Sequence, residues 1–126
     1  FNYRLPNINA ALGCAQLEKM PEFIKQKRAL TAFYEELVAP LEGVTLFKEP
    51  ANSFSNYWLQ TLILDDTLVR DDVLAFLNDH GVMSRPIWTP LHKLKPYRDC
   101  PRADLSTIER LNKKIINIPS TPIKEG

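Results

Sequence analysis

Cysteine, histidine and glycine are all scarce in this chain. Its 126 residues include two cysteines, two histidines and four glycines. A secreted disulfide scaffold normally carries more cysteine, so a reducing cytoplasm is the default expectation. Cys14 lies among Ala and Leu and is expected to be a small buried hydrophobe. Cys100, between Asp99 and Pro101, belongs to a loop. His80 and His92 with two distant cysteines do not assemble a structural zinc set, and there is no CxxC pair or HExxH. The glycines make no phosphate-cradling loop, and no GxSxG occurs. An excess of one charge is missing too. Lys plus Arg total 16 against 15 for Asp plus Glu. A net charge of +1 leaves no electrostatic footprint for nucleic acid or an anionic membrane. No apolar run approaches the ~18 residues of a membrane span. No signal peptide precedes Phe1, and the missing initiator Met leads to the expectation that the true N-terminus lies upstream.

What is present suits one soluble domain. The chain is long enough to bury a core without metals or disulfides, and its 44% hydrophobic content can supply one. A helix is expected from Asn7, with Pro6 in the first turn and an apolar stripe of Ile8, Leu12, Ala15, Leu17 and Met20. Ala10, Ala11, Gly13 and Ala15 let another backbone approach closely. Pro21 either kinks this helix or starts a second. Phe23, Ile24, Leu30, Phe33, Tyr34, Leu37 and Leu41 recur at helical spacing, and the helix is expected to run to about Val38 before Pro40 and Gly43. The basic stretch Lys25-Gln26-Lys27-Arg28 reads as its solvated face.

Strands are expected at Val44–Phe47 and, after a turn over residues 49–53, at Tyr57–Leu64. The second is apolar on both faces, as in the middle of a sheet. Residues 70–80 form a helix with Val73, Phe76, Leu77 and His80 on one face, capped by Gly81. His80 reads as structural, near the helix C-terminal dipole. Asp65-Asp66 and Asp71-Asp72 read as a turn and as carboxylates at a helix N-terminus, not as metal ligands. A strand is expected at 82–85. The long loop 86–101 carries Pro86, Pro90, Pro96 and Pro101, and loops of that length are usually functional or mobile. A short helix from Asp104 to about Lys113, with Leu105, Ile108 and Leu111 inward, precedes a last strand at Ile115–Ile118. This order predicts an α+β fold: a small, mainly antiparallel sheet with helices packed on one face.

Two clusters carry candidate chemistry. Asn2-Tyr3-Arg4 stands ahead of a helix, where donors suit a phosphate or carboxylate. Arg85, Trp88 and His92 place a guanidinium, an indole and an imidazole on a proline-stiffened loop, which suits a polar anionic organic ligand. Each has a structural alternative: Arg4 paired with a surface acid, Trp88 in the core.

The opening FNYRLPNINAALGCAQLEKM closely resembles a segment of the sugar aminotransferases of the DegT/DnrJ/StrS family, G-[YF]-N-Y-R-[LM]-x-[ND]-[IL]-x-A-A-[LI]-G-x-A-Q-L. The pattern's first glycine would precede Phe1. Further on, His80-Gly81-Val82 and RPIWTPLHKLKPYRDCPRADLSTIERLNKKIINIPS resemble the end of those enzymes. The similarity is greatest to the branch acting on UDP-linked 4-keto-6-deoxy amino sugars, on the route to legionaminic acid and bacillosamine. Thr121 stands where the closing INIPSS has its second Ser.

The resemblance spans essentially the whole chain and implies a single domain, 1–126. It would be the small C-terminal domain of a homodimeric, pyridoxal-phosphate-dependent aminotransferase. Such an enzyme transfers an amino group, with glutamate the expected donor, to a keto-sugar nucleotide for cell-surface glycan synthesis. It implies that Asn2 reaches the cofactor phosphate of the neighbouring subunit and that Arg4 lies near the nucleotide-sugar site. Tyr3 belongs to the same motif, and the resemblance specifies its role less closely. Arg85, Trp88 and His92 become candidate substrate contacts, with the donor carboxylate as an alternative partner for Arg85. Many relatives have His-Tyr-Pro where this chain has Pro86-Ile87-Trp88, whereas His92 in Pro-Leu-His matches. The family's chemistry needs a lysine as Schiff-base anchor and proton carrier. That lysine lies upstream of the Asn-Tyr-Arg segment, and Lys19, the first here, falls beyond it. The chain alone is therefore expected to be inactive. The competing expectations are a stand-alone helical dimerisation module without catalysis and a small nucleic-acid binder. The balanced charge argues against the second.

Overall fold

The computed structural model describes residues 4–66 and 68–122. Helix α1 spans Asn7–Glu18 and α2 spans Met20–Val38. Lys19 alone separates them, and Pro21 sits in the first turn of α2, where its missing N–H is not needed. Pro21 thus starts a second helix. Strand β1 is Val44–Leu46 and β2 is Gln60–Leu64. Helix α3 is Arg70–Asp79, β3 is Arg85–Pro86, α4 is Ser106–Asn112 and β4 is Ile115–Ile118. The proline-rich loop contains two short 3₁₀ turns, Leu91–Lys93 and Lys95–Tyr97.

The strands form one antiparallel sheet in the order β1-β2-β4-β3. The expected α+β architecture, with β2 inside the sheet, is what folds. Register sorts the two faces. Leu46 pairs with Leu62, Leu62 with Ile116 and Ile116 with Pro86. One step along, Thr61 pairs with Asn117 and Asn117 with Arg85, so this polar row faces the other way. Leu46, Leu62 and Ile116 of this apolar row, with Leu64, Ile118 and Val38 of α2, make the core, and Pro86 at its edge is exposed. Tyr34 of α2 and Val73, Leu74 and Leu77 of α3 pack against it. Ile116 is 0% and Leu64 1% exposed. Burying each such side chain contributes about 1.5–3 kcal/mol.

Helix α3 ends by glycine geometry. Gly81 has φ +79°, and its N–H donates to the Asn78 carbonyl while the Val82 N–H donates to that of Leu77. This is a Schellman cap, and it consumes Val82. The Asn78 amide then exchanges hydrogen bonds with the Ser84 backbone at 3.0 and 3.1 Å. The strand expected from residue 82 therefore begins only at Arg85. Gly43, φ +76°, follows α2, and a Cβ there would lie 3.2 Å from Leu68 and 3.3 Å from Asp65.

Several expectations fail for packing reasons. No residue of α1 is buried, so the stripe Ile8, Leu12, Leu17 and Met20 lies open. Cys14 is exposed with it, not a buried hydrophobe. On α2, Leu30, Thr31 and Val38 are buried, while Phe23, Phe33 and Leu37 and the following Leu41 are exposed because the sheet is narrower than the apolar stripe. Phe76 and Ile108 are also exposed. Phe76 instead stacks on His80, ring centroids 4.2 Å apart, and His80 Nδ1 lies 2.8 Å from the Phe76 carbonyl. That is the structural role expected of His80 at the end of α3.

Candidate functional site

Lys27 and Arg28 are not a solvated face. Lys27 Nζ donates to the Trp58 carbonyl at 3.2 Å and to the Ser120 carbonyl. It ties the entry of β2 to the exit of β4. Burial lowers its pKa from the ordinary lysine value. Arg28 forms a two-pronged pair with Glu49, at 3.0 and 2.6 Å, and donates to the Ser55 carbonyl at 3.0 Å. Its guanidinium lies 4.2 Å from the Phe54 ring centroid and 5.4 Å from that of Tyr57. The Ser55 N–H donates to Glu49 at 2.5 Å. The Arg28 hydrogen bonds, then this N–H, hold the Glu49 carboxyl down at about 2. The segment between β1 and β2 is thus clamped to α2.

The clamp shapes the entry to β2. Tyr57 has φ +46°, left-handed for a bulky residue, and its ring is buried. This twist shortens β2 from the expected Tyr57 start to Gln60. Trp58, two residues before the strand begins, is 65% exposed. Its ring centroid is 5.9 Å from that of Trp88, which is 66% exposed and so not core.

Trp58, but not Trp88, borders an open groove of about 460 Å³. Lys27, Trp58, Met83, Ser84, Arg85 and the segment Asn117–Thr121 line it. Asn117 is held by Thr61, whose hydroxyl donates to Asn117 Oδ1 at 2.9 Å. Of the residues expected from sequence, Arg85 lines the groove, and Trp88 meets it through its ring contact with Trp58. His92 does not join them. Its Nε2 lies 3.2 Å from Glu109 Oε1, and it lines a separate hollow of about 370 Å³ with Leu91, Tyr97, Cys100, Leu105 and Ile108. Arg4, at the foot of α1, is exposed. Asn2 and Tyr3 lie outside the described residues. Trp58 and Lys27 were not expected at a site. The turn-forming run Asn52-Ser53-Phe54-Ser55-Asn56 was the available signal that β2 starts late.

Among the described residues no His, Cys, Asp and Glu cluster fit for a metal ion occurs. No described helix is long and apolar enough to cross a membrane.

Comparison with known proteins gives the family and the fold. The sequence profile of the DegT/DnrJ/EryC1/StrS aminotransferase family matches residues 1–124. The GDP-perosamine synthase of Vibrio cholerae is 34% identical over 125 residues, covering 97% of this chain and 34% of that protein. DesI, crystallised in the presence of its TDP-sugar product, superposes with a TM-score of 0.78 at 32% identity, over 88% of this chain and 29% of DesI. The aminotransferase PseC of Helicobacter pylori superposes at 0.83 with 20% identity, over 94% of this chain and 33% of PseC, a likeness of fold. The chain spans about a quarter to a third of the length of the curated relatives it matches. It belongs to the DegT/DnrJ/EryC1/StrS aminotransferase family.

Proposed function

We propose that this chain is the smaller, C-terminal domain of a pyridoxal-phosphate-dependent aminotransferase. The whole enzyme transfers an amino group, from glutamate, to a keto-sugar nucleotide in cytoplasmic synthesis of cell-surface glycans. The observation that carries this reading is the groove in which Arg85 lies beside the Trp58–Trp88 wall. A fixed cation next to exposed aromatic faces suits an anionic, ring-bearing substrate.

The described residues do not make a cofactor cradle by themselves. Lys27, the lysine of the groove, gives its ammonium to two backbone carbonyls. The Schiff-base lysine is therefore assigned to protein outside this chain, as the resemblance implies. Pyridoxal phosphate would supply the electron sink for transamination there. In this reading the enzyme is a homodimer, Asn2 reaches the partner's cofactor phosphate, and Arg4, Arg85 and Trp88 meet the substrate. His92, through Glu109, holds the loop that presents Trp88. The open apolar stripe of α1 supports a larger protein, because Ile8, Leu12 and Leu17 have nothing to cover them among the described residues.

The test is enzymatic. With pyridoxal phosphate and glutamate, the whole protein encoded by the gene converts a 4-keto-sugar nucleotide to its amino sugar, while the 126-residue chain gives no turnover. A panel of UDP-, GDP- and dTDP-linked substrates decides between the UDP-linked expectation and the GDP-linked relatives. A whole protein inert on all of them, or turnover by the chain alone, overturns the reading. A second reading, a dimerisation module without catalysis, is favoured only by the open α1. It requires a tight dimer of this chain by sedimentation, broken by Leu12→Asp.

A further inference from the structure

We infer that Trp58 forms, with Trp88, a stacking wall for the base of a nucleoside diphosphate whose phosphates meet Arg85 in the groove. The substrate class rests on the transferase reading; the residue and its role come from the geometry. Four observations converge. Both tryptophans of the chain are in this one wall, 5.9 Å apart and largely exposed. Indoles left open to water in a folded domain are surface available for stacking, and every nucleobase offers a face.

The backbone that presents Trp58 is also held. Its carbonyl accepts from Lys27 Nζ at 3.2 Å, and its N–H donates to Asn56 Oδ1 at 3.1 Å. The segment just before it is fixed by the buried Tyr57 ring and the Arg28–Glu49 clamp. A stacking surface on a fixed backbone loses less conformational freedom when a ligand binds.

The groove, third, is cationic by composition. Among the described residues its lining includes Arg85 and Lys27, together with the polar Ser84, Asn117, Ser120 and Thr121, and no carboxylate. Lys27 is occupied by carbonyls, which leaves Arg85 as the cation for an incoming anion. Fourth, Arg85 sits on β3 in register with Asn117, on the sheet face turned away from the apolar row. Phosphates at Arg85 and a base at the wall therefore belong to one ligand. The about 460 Å³ of open volume lies within the ordinary range for small-ligand sites.

Because the chain has no other tryptophan, its intrinsic fluorescence reads this wall directly. The experiment titrates the 126-residue chain with UDP, GDP, uridine and inorganic pyrophosphate. UDP or GDP quenches the emission saturably, and uridine binds more weakly. Pyrophosphate alone competes without quenching. Trp58→Ala weakens nucleotide binding by roughly tenfold, the size of one lost stack. Arg85→Gln reduces the preference for UDP over uridine toward unity. Circular dichroism confirms that both variants stay folded, as expected for exposed side chains. Absence of saturable quenching by UDP and GDP overturns the assignment, as does quenching that Trp58→Ala leaves unchanged. The outcomes separate from those of the transferase assay: an active whole enzyme with a silent wall sinks this inference alone, and a binding wall in an inert enzyme sinks the other.

Discussion

Helices α1 and α2 are neighbours through Lys19, yet they are held in different ways. In α2, Leu30, Thr31 and Val38 are buried, Tyr34 packs on the sheet core, and Lys27 and Arg28 reach strand ends and loop. In α1 nothing is buried, and Ile8 is 78% and Leu12 62% exposed. Neither helix has a side-chain cap at its N-terminus. The difference is therefore tertiary contact. A 12-residue helix such as α1 is marginal in water without packing. The stability of this domain resides in the sheet and α2.

The largest effect should come from the centre of that packed half. Ile116 is fully buried between Leu62 and the helices, so Ile116→Ala removes contacts that a rigid surround cannot refill. It is expected to cost about 2–5 kcal/mol, read as a lower midpoint in urea unfolding. A loss below about 1 kcal/mol would mean that the sheet–α2 unit is not the stable half.

The clamp tests the same half through pH. The carboxyl of Glu49 is held at about 2 against an ordinary 4.5. A depressed folded-state value means stability that is fully present above the unfolded value and lost as pH falls toward the folded one. The contribution should therefore fade between about 4.5 and about 2. Glu49→Gln should flatten that part of the stability–pH curve while leaving α2 helical. The pair is part-exposed, so the effect should be smaller than that of Ile116→Ala. An unchanged acid limb would show that the clamp holds the Trp58 loop without stabilising the domain.

The sheet and its helices were legible because their signals are local and strong: the apolar run 60–64, the Gly81 stop, and the strand Ile115–Ile118 closed by Pro119. The faces were less legible. A helical stripe gives its own period but not the width of the surface opposite, so α1 and Phe33, Leu37 and Phe76 were expected inside and lie outside. The site was half legible. Arg85, on β3, and Trp88, on the loop after it, carry chemistry visible in sequence. Trp58 was hidden, because Tyr-Trp-Leu-Gln reads as strand and only the long-range hold of Arg28 on Glu49 and Ser55 reveals the twist before it.

Gln60 gives a finer test within the packed half. Its Nε2 donates to Thr31 Oγ1 at 2.9 Å, but its Oε1 is buried without a partner among the described residues. Gln60→Met forfeits the Thr31 bond and a longer one to the Lys27 carbonyl at 3.4 Å, and also removes an unsatisfied acceptor. These effects are each about 1 kcal/mol and opposed in sign. The net change in unfolding free energy should stay within about 1 kcal/mol, far below that of Ile116→Ala.

The smallest effect belongs to α1, and it sharpens the comparison most. Leu12→Ala removes a large side chain that touches little within this chain, and Ala is the better helix former. In the 126-residue chain the change should lie within about 0.5 kcal/mol of zero, since exposed sites away from packing rarely move stability further. Hydrogen exchange should agree: the α1 amides exchange through local fraying, whereas those of α2 and β4 require opening of the core. In the longer protein proposed above, the same substitution should become destabilising by about 2 kcal/mol or more, the ordinary cost of truncating a buried leucine. If Leu12→Ala is equally silent there, α1 is a solvent-facing helix in both settings, and its apolar stripe supports neither a larger enzyme nor a dimer.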